Sequence, residues 1–172
     1  MKNVLVVHYS QSGQLTEILD NITLPFSSED EINVTHYTIE MEKEFPFPWN
    51  KSAFFDAFPE SFLQIPSEIK APSNAILEKK YDLIILGYQV WYLSPSIPIN
   101  SFLKSAFAKQ IFIYTPVITA IGVRNMWVKA QEKMKILLNN KSEDKSSALN
   151  GILSENKLTF ISYPQNSDEL KT

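Results

Sequence analysis

The 172-residue sequence contains no cysteine. That excludes disulfides, thiolate metal sites and cysteine nucleophiles. Its 2 histidines, His8 and His36, lie far apart in sequence, with no Asp or Glu at ligand spacing. No metal site is expected, and a structural or surface role suits both rings. No apolar run approaches the roughly 20 residues of a membrane span, and the run after Met1-Lys2-Asn3 is too short for a signal-peptide core. A cytoplasmic chain is the expectation. The formal charge of −3 gives no basic footprint for nucleic acid and is too mild for a dedicated acidic docking surface. With 20% charged and 44% hydrophobic residues, the composition is that of an ordinary single domain over 1–172.

Glycine is scarce, and its placement is informative. There are 4, of which Gly13, Gly87 and Gly122 each follow an apolar run that reads as a buried strand. Any one of them can simply end a strand. Together they point to a shared crevice, because open α/β sheets bind ligands outside the carboxyl ends of their strands.

The first of these runs organises the rest. Val4-Leu5-Val6-Val7 suits a strand covered on both faces, and Leu15, Ile18, Leu19 and Ile22 make one face of a helix. Between them, Ser10 and Ser12 offer hydroxyls beside the unpaired N–H groups of a helix start, a combination that favours a phosphate. No Lys or Arg lies in that loop, so neutral donors would hold the anion.

Downstream, Ile32 to Ile39 alternates as a strand and Asp82 to Gly87 gives another. Between them, about 42–72 is an insertion rich in aromatics and proline, with no clear helix. It holds Phe45, Phe47, Trp49, Phe54, Phe55, Phe58 and Phe62. Such a segment is an apolar lid over a hydrophobic substrate, a homodimer contact, or intrachain packing. Ser73 is placed to cap a short helix to Lys80, and Ile99 to Phe107 suits a further helix. Tyr88-Gln89-Val90-Trp91-Tyr92 reads as an aromatic loop at a strand's carboxyl end, able to stack on a planar ring. Val117 to Ile121 is the next strand, and Gly122-Val123-Arg124-Asn125 opens a helix through Met126 and Trp127. A polar connection (Lys141 to Ser147) and a fifth strand (Lys157 to Tyr163) follow. The alternation predicts a doubly wound, three-layer α/β fold with five parallel strands, either lacking a final helix or continuing past residue 172.

These residues resemble the flavodoxin-like FMN-binding fold. That family uses a loop [ST]-x-[ST]-G-x-[ST] after its first strand, and Ser10-Gln11-Ser12-Gly13-Gln14-Leu15 is similar, with Leu15 in a hydroxyl position and Thr16 one place later. Its loop after the third strand, G-x-P-x-W then P-x-x-x-F-L, resembles Gly87 to Trp91 and Pro98 to Leu103, with Gln89 replacing the proline. The resemblance implies FMN as cofactor. Ser10, Gln11, Ser12, Gly13, Gln14, Leu15 and Thr16 would lie around the phosphate, and Gln89, Val90, Trp91 and Tyr92 along one side of the ring. Gly122, Val123, Arg124 and Asn125 would approach the other edge. Tyr88, Tyr92 and Arg124 are catalytic candidates by position alone. The wording of His8 to Leu15 and of Gly122 to Trp127 is further similar to flavodoxin-like proteins of bacterial dialkylresorcinol biosynthesis, labelled condensing enzymes or aromatases. That implies a flavin oxidoreductase acting on an apolar small molecule. The alternatives are an electron carrier with a redox partner, an NAD(P)H-dependent quinone reductase, or a module that kept the fold without the cofactor.

Overall fold

The computed structural model describes residues 1–123 and 127–139. In chain order these form β1 (Lys2–His8), α1 (Gln14–Thr23), a 3-10 segment (Leu24–Ser28), β2 (Ile32–Thr38), α2 (Lys51–Leu63) and α3 (Asn74–Leu77). Then come β3 (Leu83–Trp91), β4 (Ser94–Pro95), α4 (Ile97–Lys104), α5 (Ala106–Phe112), β5 (Val117–Gly122) and α6 (Val128–Asn139).

The long strands are parallel: β1 pairs with β2 on one side and β3 on the other, and β5 pairs with the far edge of β3. The sheet reaches five strands through β4, which turns back antiparallel on the end of β3. The strand expected over 157–163 and the connection over 141–147 lie outside the described residues.

Alternation along each strand sorts the core into two layers. Val4, Val6, Ile85 and Ala120 face Leu15 and Leu19 of α1. Leu5, Val7, Leu86 and Ile121 face the other way, onto Phe102 and Leu103 of α4, Phe112 of α5 and Met134 of α6. Helices on both faces make the three-layer arrangement that the alternation predicted. No helix among the described residues is long and apolar enough to cross a membrane.

Four local readings change. Gly87 does not end its strand, because β3 continues to Trp91, held by Gln89 opposite Gly122 on β5 and by Val90 and Trp91 opposite Pro95 and Ser94. A Cβ on Gly87 would stand 2.5 Å from Leu19 Cδ1, so this glycine lets α1 close onto the sheet rather than admitting a ligand. The insertion does contain a helix, α2. Asn50 caps it by accepting from the Ala53 N–H at 2.8 Å, and Ala57 and Ser61 are buried one turn apart. Pro59 sits inside it, leaving only the Phe55 carbonyl without its usual donor. Ser73 precedes α3 without a side-chain cap, and α3 ends at Leu77. The helix expected over Ile99 to Phe107 is two helices, broken where Ser105 adopts an extended backbone and caps α5 through the Ala108 N–H.

Candidate functional site

The carboxyl ends of β1, β3 and β5 meet at one edge of the sheet. A Cβ built on Gly122 would lie 3.4 Å from Leu15 Cδ1 and 3.9 Å from Gln89 Cγ. The start of α1, the β3 end and the β5 end therefore meet at this edge, whereas Gly87 lies four residues inside β3.

Gly13 is the N-cap of α1 at φ +84°, a left-handed backbone that glycine adopts without strain. The first backbone bond of α1 runs from the Glu17 N–H to the Gly13 carbonyl at 3.0 Å. The N–H groups of Gln14, Leu15 and Thr16 have no partner within the helix and face the loop end. Ser12, Gly13 and Gln14 are exposed, while the Ser10 hydroxyl is buried without a partner. The Leu15 side chain sits in the core beneath the sheet, so this position offers only its backbone. The Gln11 amide donates to the Pro46 carbonyl at 3.0 Å and ties the loop to the insertion.

Thr16 Oγ1 is 3.0 Å from His8 Nε2, a link between two residues that the sequence did not pair. His8 is 1% exposed, and its Nδ1 is buried without a partner. Burial, with a smaller contribution from His36, lowers its pKa to about 4, against a weak opposing pull from Asp20. The ring is neutral at pH 7, and its centroid lies 6.5 Å from that of His36 on the neighbouring strand. His36 is exposed, with Nδ1 3.4 Å from Asp20 Oδ1. Among the described residues no group of three His, Asp or Glu side chains has metal-binding geometry.

The aromatic residues at the end of β3 have separate fates. Tyr88 points into the core, fully buried, its hydroxyl unpartnered and its pKa raised by burial. Such a phenol is poorly placed for acid–base work in the crevice. Val90 is half-buried against the same core, and the Gln89 Oε1 is buried without a partner. Trp91 stands in an aromatic box, edge-to-face with Tyr9, Phe45 and Trp49 at centroid distances of 6.1, 5.1 and 5.0 Å. Tyr92 turns away onto α2: its ring meets Phe54 at 5.0 Å and Phe58 at 5.1 Å, and its hydroxyl donates to the Phe54 carbonyl. Tyr92 and Leu93 both have positive φ, 48° and 63°, forming the tight hairpin between β3 and β4. On the β5 side, Val123 is half-buried against the core. Arg124, Asn125 and Met126 lie outside the described residues, and Trp127 is half-buried.

Lys133 of α6 is a contributor that the sequence did not reveal. Its Nζ donates to the Phe62 carbonyl at 2.8 Å and to Ser94 Oγ at 2.7 Å, and stands 4.7 Å over the Phe62 ring. Partial burial, aided by Lys129, lowers its pKa. It joins α6, α2 and the hairpin at one point. Beside the crevice, a cavity of about 360 Å³ opens between residues 42–46 and α2. Five carboxylates (Glu42, Glu44, Asp56, Glu60 and Glu68) and Lys43 line it together with the apolar Phe45, Pro46, Ala53, Ala57 and Ile97.

A parallel sheet with helices on both faces, and a helix-start loop, an aromatic strand end and a glycine meeting at one edge, define a flavodoxin-like fold. The solved structures agree on the fold. The chain matches a flavoprotein from Lactobacillus acidophilus NCFM, crystallised in complex with FMN, with a TM-score of 0.58 at 20% identity. The match covers 81% of this chain and 87% of that one. No protein-family model matches the chain, and no curated protein does so with significance.

Proposed function

We propose that this chain is an FMN-binding flavoprotein, and that it acts as an oxidoreductase on an apolar small molecule. The observation that carries the reading is the convergence at Gly122, Leu15 and Gln89, next to a loop with an unpartnered buried hydroxyl and a free helix start. The residues fit the cofactor's parts. Ser10, Ser12 and the N–H groups of Gln14 to Thr16 are neutral donors for a phosphate, and His8 holds the Thr16 hydroxyl at that end of α1. The Gln89 Oε1, lacking a protein partner, is an acceptor for a ring N–H. Trp91 and its box form an apolar wall that excludes water from that side. When bound, the flavin supplies the two-electron chemistry, and the chain orients it and tunes its electronics.

A finer reading of the substrate follows from the resemblance of His8 to Leu15 and of Gly122 to Trp127. It is oxidative aromatisation of an alkyl-chained cyclic diketone to a resorcinol, the substrate giving up two hydrogens. The half-exposed phenylalanines of α2 support an apolar substrate of this kind.

Titration of the purified protein with FMN, read by flavin fluorescence and visible absorbance, tests the cofactor. Binding in the micromolar range or tighter is expected. Ser10→Ala should weaken it several-fold while leaving the unliganded protein as stable as before, because the lost hydroxyl has no partner to abandon. No binding at 100 µM FMN, as an order of magnitude, would remove the reading. If FMN binds, reduction by NAD(P)H alone distinguishes an enzyme from a carrier that needs a reductase.

A further inference from the structure

His8 closes β1, and Thr16 is the third residue of α1. Gln14, Leu15 and Glu17 complete that first turn, so Thr16 carries its only side-chain hydroxyl. Helical Cα–Cβ bonds tilt toward the amino end, which brings this hydroxyl toward the free N–H groups of the helix start. Among the described residues its one side-chain bond is to His8, with Nε2 and Oγ1 3.0 Å apart. At 1% exposure the His8 ring offers a ligand no surface of its own, and Nδ1 is buried without a partner.

We infer that His8 is a positioning residue for the ligand's phosphate: its ring carries the proton on Nε2, donates it to Thr16 Oγ1, and so turns the Thr16 O–H outward as a donor to the anion. The inference rests on the proposed flavin reading, which supplies the phosphate.

A neutral imidazole has one N–H and one bare nitrogen, and the hydrogen bond at Nε2 decides which is which. The ring stays neutral because burial, with His36 of β2 beside it, opposes a charge there more than Asp20 of α1 favours one. With the proton on Nδ1, a buried N–H would face no acceptor, a rare arrangement. Nε2 would then take the Thr16 proton, and Thr16 would show an anion nothing but lone pairs. With the proton on Nε2, the buried orphan is a bare nitrogen, and Thr16 keeps its proton for the phosphate. Only this second form adds a hydroxyl donor to the backbone N–H groups of Gln14, Leu15 and Thr16. Leu15 has none to add, because its side chain is packed in the core.

The platform under this bond is rigid. His8 pairs with Thr38 on β2 and with Gly87 on β3, and its carbonyl accepts the Ile39 N–H at 2.8 Å. An imidazole held from both sides sets the place of the hydroxyl as well as its direction.

Spectroscopy and affinity test the inference together. The chain has 2 histidines and His36 is exposed, so His36→Asn leaves His8 as the one imidazole. Nitrogen NMR of isotope-labelled histidine in that variant, with FMN bound near neutral pH, should show Nε2 protonated and Nδ1 bare. Thr16→Val, which keeps the side-chain shape and removes the hydroxyl, should weaken FMN about tenfold. His8→Leu should weaken it about threefold, and His8→Gln, whose amide N–H can donate to Thr16, should restore it. Riboflavin has the same ring and no phosphate, and should bind wild type and variants alike, which a merely structural role of His8 would not give. A proton on Nδ1 overturns the inference and leaves the flavin reading intact. So does an FMN affinity that Thr16→Val leaves unchanged, or one that His8→Gln lowers as much as His8→Leu. A wild type that binds neither FMN nor riboflavin removes the flavin reading, and this inference with it.

Discussion

Mild acid should weaken this protein through one histidine. His8 is buried between the sheet and α1, with Nε2 on Thr16 and Nδ1 facing no partner, and its pKa falls from 6.5 to about 4. As the pH drops through 6.5 the unfolded chain takes up this proton, while the folded chain refuses it until about 4. The contribution is therefore complete above 6.5, falls between 6.5 and 4, and is flat below. At 1.36 kcal/mol per pKa unit the loss amounts to about 3 kcal/mol, a large share of a normal folding free energy. The assay is urea unfolding at several pH values from 7 to 4, run on the wild type and on His8→Gln. Other titrating groups act on both proteins, so the difference between the two curves isolates His8. The wild type should lose about 2–3 kcal/mol relative to the variant across that interval. Curves that stay parallel within about 0.5 kcal/mol would refute the buried neutral imidazole.

The remaining expectations concern packing. Gly87→Ala should cost about 1–3 kcal/mol, because its Cβ would meet Leu19 Cδ1 at 2.5 Å and His8 Cβ at 3.3 Å. Adding Leu19→Ala to that variant should cost less than the sum of the two single changes in thermal or urea unfolding. Lys133→Met should cost about 1–2 kcal/mol in urea unfolding, since it removes the bonds to Phe62 and Ser94. Gly13→Ala should destabilise by about 1–2 kcal/mol through backbone strain alone, because no atom lies within 4 Å of the added Cβ.

Much of the fold was legible because hydrophobic periodicity is local. Val4 to Val7 and the Leu15, Leu19 spacing announced a strand and a helix without reference to anything distant, and both formed. What stayed hidden depended on contacts remote in sequence. The extension of β3 past Gly87 rests on pairing with β5 and on a hairpin whose two turn residues, Tyr92 and Leu93, carry none of the usual turn chemistry. Five prolines between 46 and 72 read as breakers, yet Pro59 is accommodated within α2 and Asn50 starts that helix. The site divides in the same way. Its convergence at Gly122 followed from the strand ends, but the directions of Tyr88 and Tyr92 did not. One lies on the core face of β3, and the other is turned onto α2 by a left-handed backbone. Leu15 looked like a defect in a hydroxyl motif; in three dimensions it is the residue that seats α1 on the sheet.

The insertion is fastened at several separate points. Gln11 holds Pro46, Ser61 holds the Trp91 carbonyl, Tyr92 holds Phe54, and Lys133 holds Phe62. A segment bound to the first loop, the β3 end and α6 together cannot swing open about a hinge without breaking those ties at once. Entry to the wall around Trp91 then falls to rotation of single rings rather than to excursions of the whole loop. Association with a small molecule should accordingly show one concentration-dependent phase in stopped flow, with no slower gating step behind it.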